Sequence, residues 1–302
     1  MVCQDHQSVK EKLISAKCLE DRCLANVVGC SLAFINNTLT KNGMKEVFKK
    51  HGVSTPLGFG AKNSCNLELE INTLSMAYPL FVKVNDSILF FDAGYGSVGI
   101  DENSVCHNYK QLKEKCDALW VDFGELTIEE FILGTEFSVL ISGGPPYNNE
   151  SLQVYQPAIR SFNEKIPAHQ RFIKYAQNWD DDLCEHKYQK CEESDFSPLV
   201  ELATNAYISV SGNCFGRVDI RKRENGKFYV LEVNSSCGIG FGSSSDNILL
   251  LAGQCTLDFF KAVLCTLPIA RAIIGEKQTF RQVNERDLMC VSGDRSSTLK
   301  VQ

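Results

Sequence analysis

The sequence predicts an α+β protein built as two lobes. Three observations carry this. Extended and helical segments are mixed without the regular spacing of βαβ units, which argues against one doubly wound sheet. The 302 residues are 44% apolar and 23% charged, an ordinary globular composition at a length that allows one large domain or two lobes. A well-formed antiparallel hairpin lies at residues 217–234, late in the chain.

Residues 9–24 read as a helix. "TLTKNGMKEVFKKHGVSTP" reads as a second, with a Thr cap, apolar Met44, Val47 and Phe48, a terminal Gly52, and Pro56 blocking continuation. "YPLFVKVN" is a strand, "SILFFDA" reads as another, and "GYGSVGI" is a glycine-rich turn. A helix is expected over 108–118. "LTIEEFILGTEFSVLISG" reads as strand, break at Gly134, strand. Residues 145–195 are polar and read as irregular. A helix over 197–210 precedes the hairpin, and a Gly/Ser-rich turn and one apolar helix over 246–267 follow it. Residues 276–302 form a polar tail.

The hairpin carries the chemistry. Asn225-Gly226 is a strong two-residue turn signal, because both positions tolerate positive φ. Counting outward sets Ile220 opposite Leu231, Asp219 opposite Glu232, Val218 opposite Val233 and Arg217 opposite Asn234. Side chains alternate faces along a strand, so Val218, Ile220, Leu231 and Val233 share an apolar face. Arg217, Asp219, Glu232 and Asn234 share the other. Carboxylates directly opposite each other repel. A divalent cation would remove the conflict, and three oxygen donors in one patch suit Mg²⁺. The plain alternative is a solvated polar face whose acids are neutralised by Arg217 and Arg221.

A net charge of −6 argues against a nucleic-acid partner, leaving only a local basic groove open. The N-terminus lacks a signal-peptide core, and no segment is long and apolar enough to span a bilayer. The fourteen cysteines include no CxxC pair and read as reduced thiols in a cytoplasmic protein. Cys184, His186 and Cys191 match no standard zinc spacing and read as part of a solvated acidic loop.

Several other stretches admit a functional and a plain reading. "AGYGSVGID" can ring an anion with backbone N–H groups, or is simply a glycine turn. Lys83, inside an apolar strand, needs an anionic partner unless it sits at an edge with its ammonium snorkelling out. Glu136 follows the break at Gly134 and is either a ligand contact or a solvated rim. "NSSCGIGFGSSS" is a flexible, hydroxyl-rich turn or only a loop.

Taken in order, these stretches resemble the ATP-grasp fold, and within it the D-alanine–D-alanine ligases. The resemblance runs from about residue 25 to 270. It is strongest over 216–238, where "GRVDIRKRENGKFYVLEVNSSCG" is similar to the family's GR-D, G, Y-LE-N and PG pattern. "VVGCSLAFINNTLTKNGMKEVFKKHGVSTP" resembles the stretch joining the first two domains. "PLFVKVN" with "GYGSVGI" resembles the phosphate-binding strand and loop, and "TIEEFILGTEFSV" the adenine hinge.

The resemblance implies two α+β lobes clamping ATP. Residues 1–26 would be a helical remnant of an N-terminal domain and 27–56 linking helices. A small lobe would span 57–142 and a C-terminal lobe with the metal site 143–275. Lys41 and Lys83 would hold phosphates, with Gly96, Ser97, Val98 and Gly99 as the lid over them. Glu129 would accept from the adenine amino group, the backbone at Phe131 and Ile132 would meet the adenine edge, and Glu136 would bind the ribose. Asp219, Glu232 and Asn234 would bind two Mg²⁺ ions, with Mn²⁺ an acceptable substitute. Arg217 and the amide of Gly238 would stabilise the oxyanion, and Ser97 of the lid would count with them as a catalytic residue. The implied activity is ATP-dependent ligation of a carboxylate to an amine, both of amino-acid type, through an acyl phosphate. Two other readings stand beside it: a nucleotide binder without catalysis, and an ATP-grasp ligase acting on another acid. A homodimer is compatible with all three.

The chain departs from the family pattern at named positions. Asn178 in "YAQNW" stands where the family has lysine, with Lys174 nearby. Glu130 replaces a common hinge lysine, Cys237 replaces the proline before Gly238, and "SSSD" at 243–246 resembles the substrate serine only loosely. Most of the family's first domain has no counterpart.

Overall fold

Two antiparallel sheets organise the chain, and each has one apolar and one polar face. The computed structural model describes residues 29–85, 97–144, 148–175, 186–235 and 237–265. The helix expected over 9–24, the strand expected over 87–93, Gly96, Asn178 and the tail lie outside these.

Two short helices come first, α1 (Leu32–Thr38) and α2 (Lys41–Lys50), each opened by a side-chain cap: Ser31 accepts from Phe34 N–H and Thr40 from Gly43 N–H. As the sequence predicts, α2 stops just before Gly52, which takes φ 69°. A four-stranded sheet follows, in the order β1 (Gly58–Ala61), β4 (Leu126–Glu130), β2 (Leu80–Val84), β3 (Val105–Cys106). Leu80, Val82, Val84, Leu126 and Ile128 alternate onto one face and pack against α3 (Leu67–Thr73) and α4 (Tyr109–Trp120). The register pairs Phe81 with Glu129 and Lys83 with Thr127, so these four side chains share the opposite face. Gly58 and Gly60 pair with Glu129 and Thr127 on that face. A Cβ on Gly58 would lie 2.8 Å from the Glu129 Cβ, and one on Gly60 2.4 Å from Asn42 Nδ2. The Gly-Phe-Gly alternation thus clears one face for polar groups and fills the other.

The second sheet runs β10 (Phe228–Asn234), β9 (Phe215–Arg223), β5 (Gly134–Gly144), β7 (Ala158–Phe162), β8 (His186–Lys190), with β6 (Asn148–Val154) paired to the far end of β5. Strand β5 belongs wholly to this sheet, and the 142/143 lobe boundary expected from the sequence falls inside it. Phe137, Val139, Ile141, Val218, Ile220, Val230 and Val233 face the core. They pack against α5 (Glu193–Ser209), Phe34 and Ile35 of α1, and Met44 and Phe48 of α2. Each large side chain fully buried here contributes about 1.5–3 kcal/mol. Helix α2 therefore serves both sheets. Its apolar face joins the large core, while Asn42 donates to Glu125 and accepts from Thr127 at the small sheet.

Three sequence expectations change. Residues 145–195 hold three strands as well as loops; β7 pairs with β5, and β8 pairs with β7 to form an edge of the large sheet. The apolar helix over 246–267 is two helices, α6 (Ser244–Leu251) and α7 (Thr256–Cys265), separated at Gly253 with φ 71°. In the hairpin, Arg223 and Lys227 close a three-residue loop in which Gly226 takes φ 87°. This shifts the register by one, and a bulge at Leu231 shifts it back. Ile220 pairs with Val230, not Leu231, whereas Asp219–Glu232, Val218–Val233 and Arg217–Asn234 pair as expected.

Candidate functional site

On the polar face of the small sheet, Lys83 Nζ lies 2.5 Å from Glu129 Oε1, and Lys45 Nζ reaches across from α2 to 2.5 Å from Oε2. Lys83, Lys45 and Glu129 are buried, at 5%, 3% and 2% exposure. Lys83 thus has the anionic partner its apolar strand demands, and the snorkelling alternative is excluded. Burial pushes the Glu129 carboxyl up, but Lys45 and Lys83 outweigh it and hold it below its usual range. Burial lowers the Lys45 ammonium against the pull of Glu129, and Glu232 acts on it too. Lys45 also donates to Thr55 Oγ1 at 3.0 Å, and Thr55 donates to the Val230 carbonyl.

Phe131 and Ile132 follow directly. The Phe131 ring stacks on Phe81 with centroids 5.9 Å apart, and Phe172 packs edge-on against both. Phe131 N–H donates to the Pro79 carbonyl, and the Ile132 carbonyl accepts from Arg221 Nη1 at 3.0 Å. Glu136 sits between two guanidinium groups: Arg160 donates to Oε1, and Arg221 donates from Nε and Nη2 to Oε2 at 3.0 Å. Burial disfavours the Arg160 cation, but Glu136 outweighs it and raises its pKa. Arg160 donates further to Tyr188 Oη, which shares a 2.6 Å hydrogen bond with Ser244 Oγ.

Two strands along, Asp219 is 5% exposed. It accepts from Ser138 Oγ at 2.7 Å, from Arg217 through Nε at 2.9 Å and Nη2 at 2.8 Å, and from Asn234 Nδ2 at 3.0 Å. Burial pushes its carboxyl up, but Arg217 more than reverses this and lowers it. Asn234 Nδ2 also reaches Glu232 Oε1 at 3.3 Å. The amide nitrogen therefore bridges the two opposed acids at the place where a cation would relieve them. Rotating that amide would present its oxygen beside two carboxylates, a hard donor set that fits Mg²⁺ if phosphate oxygens complete the shell. Among the described residues no three His, Cys, Asp or Glu side chains are grouped to hold a metal by themselves. Arg217 does neutralise Asp219, as the plain alternative held, but Arg221 serves Glu136 instead.

Ser97, Val98 and Gly99 form a turn with Ser97 at φ 62° and Gly99 at φ 73°. Lys115 donates to the Gly99 carbonyl at 2.9 Å, tying the turn to α4. Lys41 opens α2 and donates its N–H to the Asn85 carbonyl. Gly238 is exposed in the turn after β10. The structure thus brings Arg217, Asp219, Glu232 and Asn234 into one cluster, Lys83 and Glu129 into another, and links Ile132 to Glu136 through Arg221.

Lys45, Ser138 and Arg160 were not legible as site residues. Lys45 has a weak signal: it lies four residues after Lys41 on the side of α2 that carries Phe48. Ser138 follows Glu136 by two and so must share its face. Arg160 sits in a stretch that reads as irregular.

A family model described as D-ala D-ala ligase C-terminus matches residues 60–258. The chain is 26% identical over 214 residues to the D-alanine–D-alanine ligase B of Clostridium perfringens, covering 70% of this chain and 62% of that protein. It is 28% identical to the D-alanine–D-alanine ligase of a Marinomonas species, covering 70% and 58%. The chain therefore spans only about three fifths of these relatives' lengths. Among solved structures, the VanG D-Ala:D-Ser ligase of Enterococcus faecalis superposes with a TM-score of 0.66 at 19% identity, covering 86% of this chain and 70% of that one. The Bacillus anthracis D-alanine–D-alanine ligase complexed with ATP gives 0.63 at 17% identity, covering 86% and 76%. No helix among the described residues is long and apolar enough to cross a membrane. The chain has the α+β ATP-grasp fold and belongs to the family of the D-Ala–D-Ala ligase C-terminal domain.

Proposed function

We propose that the chain binds Mg-ATP between its two sheets and uses it to join a carboxylate to an amine, both of amino-acid type. One observation supports this most: Lys45, ion-paired with Glu129 of the small sheet, donates to Thr55 Oγ1, and Thr55 donates to the Val230 carbonyl of β10, the strand that carries Glu232. The small-sheet face that carries Lys83 and Glu129 is thus tied through α2 to the strand of Glu232, with ammonium groups on one side and oxygen donors for a cation on the other.

In this reading Lys83 and Lys41 hold phosphates and the turn at Ser97–Gly99, with Gly96, covers them. Phe131 and Ile132 meet the base edge, with Glu129 as acceptor for its amino group and Glu136 near the ribose. Asp219, Glu232 and Asn234 hold Mg²⁺, which neutralises charge on the transferring phosphoryl group. The acid's carboxylate oxygen attacks the γ-phosphorus, the bridging oxygen leaves with ADP, and an acyl phosphate forms. The amine nitrogen then attacks the acyl carbon, inorganic phosphate leaves, and the amine's proton passes to solvent. Arg217 and the Gly238 N–H meet the oxyanion of that second step, contacts of a type worth about 3–4 kcal/mol each.

A second reading, a nucleotide binder without turnover, is favoured by Asn178 in place of the family lysine. A screen of paired carboxylates and amines for ADP release, with mass detection of product, separates the two. ADP with an amide of the expected mass supports the ligase. Bound nucleotide with no amide from any pair supports the second reading.

A further inference from the structure

We infer that Lys45 is a positioning residue of the nucleotide site: it keeps Glu129 neutralised and so frees Lys83 to leave that carboxylate for a phosphate. The inference rests on the nucleotide-binding reading above.

Glu129 is almost fully buried and each of its oxygens faces a different ammonium. A lone buried carboxylate costs several kcal/mol, so Lys83 could not depart if it were the sole partner. Lys45 removes that obstacle. It approaches from another element, α2, and is fixed there by Thr55 Oγ1 at 3.0 Å and by the burial of its neighbours Met44 and Phe48. Lys83 stands on a strand beside the Phe81 ring, 5.9 Å from its centroid, with Glu129 as the one ion-pair partner the structure gives it among the described residues. A lysine ammonium on a four-carbon stem can change partner, which a guanidinium fork does not do readily. Two ammoniums around one carboxylate also leave one uncompensated positive charge in a dry place. That is the complement of an anionic ligand, and it marks Lys83 as the group that moves.

Isothermal calorimetry with Mg-ATP and with adenosine tests this, because only ATP offers Lys83 a phosphate. The quantity read is the preference, the ratio of the two dissociation constants. In Lys45→Met the preference should fall by about tenfold or more while adenosine affinity stays within about threefold, because Lys83 is held by Glu129. Lys45→Arg should recover part of the preference. The double variant Lys45→Met/Glu129→Gln should recover most of it, since the amide has no charge to strand. An equal loss for both ligands, or no recovery in the double variant, overturns the inference and makes Lys45 merely structural. Should Lys45→Met fail to fold, the Glu129→Gln background decides. Removing Lys45 there should change the preference by less than about threefold, and a drop of about tenfold or more overturns the inference. A wild-type protein that binds neither ligand overturns the nucleotide reading itself, an outcome distinct from an unchanged preference in a protein that binds both.

Discussion

Glu129 and Glu136 are both buried carboxylates held by two cations, yet they are built for opposite purposes. Glu129 lies between lysines that come from a helix and a strand, whereas Glu136 lies between arginines on the two strands flanking its own. Guanidinium groups bind in a planar fork and stay charged, while ammoniums are point charges that can rotate away or shed a proton. Arg221 spends its other donors on the Ile132 and Arg171 carbonyls, so moving it would strand three groups. The arginine site is a fixed joint that orients the strand break after Ile132, and the lysine site is one whose partners can exchange.

The largest expected effect tests the fixed joint. Glu136→Gln leaves two buried guanidinium groups without a counter-charge, so denaturant unfolding should show a loss of about 3–5 kcal/mol. Glu129→Gln should cost clearly less, and its deficit should shrink toward alkaline pH as the already lowered Lys45 ammonium gives up its proton. Equal, pH-independent losses would erase the contrast.

The acid cluster gives the next effect. Asp219 takes a bidentate contact from Arg217 and a bond from Ser138, whereas Glu232 has only the long bond from Asn234 among the described hydrogen bonds. Asp219→Asn should therefore lower stability by about 2–3 kcal/mol. A smaller effect is expected from pH. Burial, helped by the Arg160 charge, lowers His186 to about 4 from a usual value near 6.5. The unfolded ring takes up a proton below about 6.5 while the folded ring resists, so stability is full above that pH and falls as pH drops toward about 4. His186→Phe should flatten this slope, worth on the order of 1–2 kcal/mol after screening of the ring's exposed edge. An unchanged slope in unfolding curves between pH 7 and about 4 would remove His186 from the account. The smallest stability effect belongs to Glu232→Gln, within about 0.5 kcal/mol without metal, or a slight gain from relieved repulsion. A large fall in its melting temperature would make Glu232 a structural ion-pair partner instead.

The acid patch could be read from the chain because side-chain alternation and hairpin closure are local rules. The expected pairing of Asp219 with Glu232 survives, but by two compensating departures: a three-residue loop and the bulge at Leu231. Neither has a strong signal in "KRENGKFYVL", where Asn-Gly points to the shorter turn. The strand–break–strand was legible through Gly134, although the break itself is residues 131–133 and Gly134 opens β5, at φ 144° and close against the Lys222 carbonyl. Strands β7 and β8 were not, because AIRSF has no period-two alternation and HKYQK, at the edge of the sheet, is polar enough to mimic a loop. Lys45 was hidden for a related reason: a lysine on a helix normally points to water, and only the tertiary approach of Glu129 turns it inward.

The central claim is that the two clusters form one Mg-ATP site. It is tested most directly by calorimetric titration of the whole chain with a non-hydrolysable ATP analogue, with and without Mg²⁺, in the wild type and in Glu232→Gln. Saturable binding that Mg²⁺ strengthens in the wild type, and strengthens much less in the variant, is the predicted result. No binding of the analogue at about millimolar concentration with Mg²⁺ present would contradict the account.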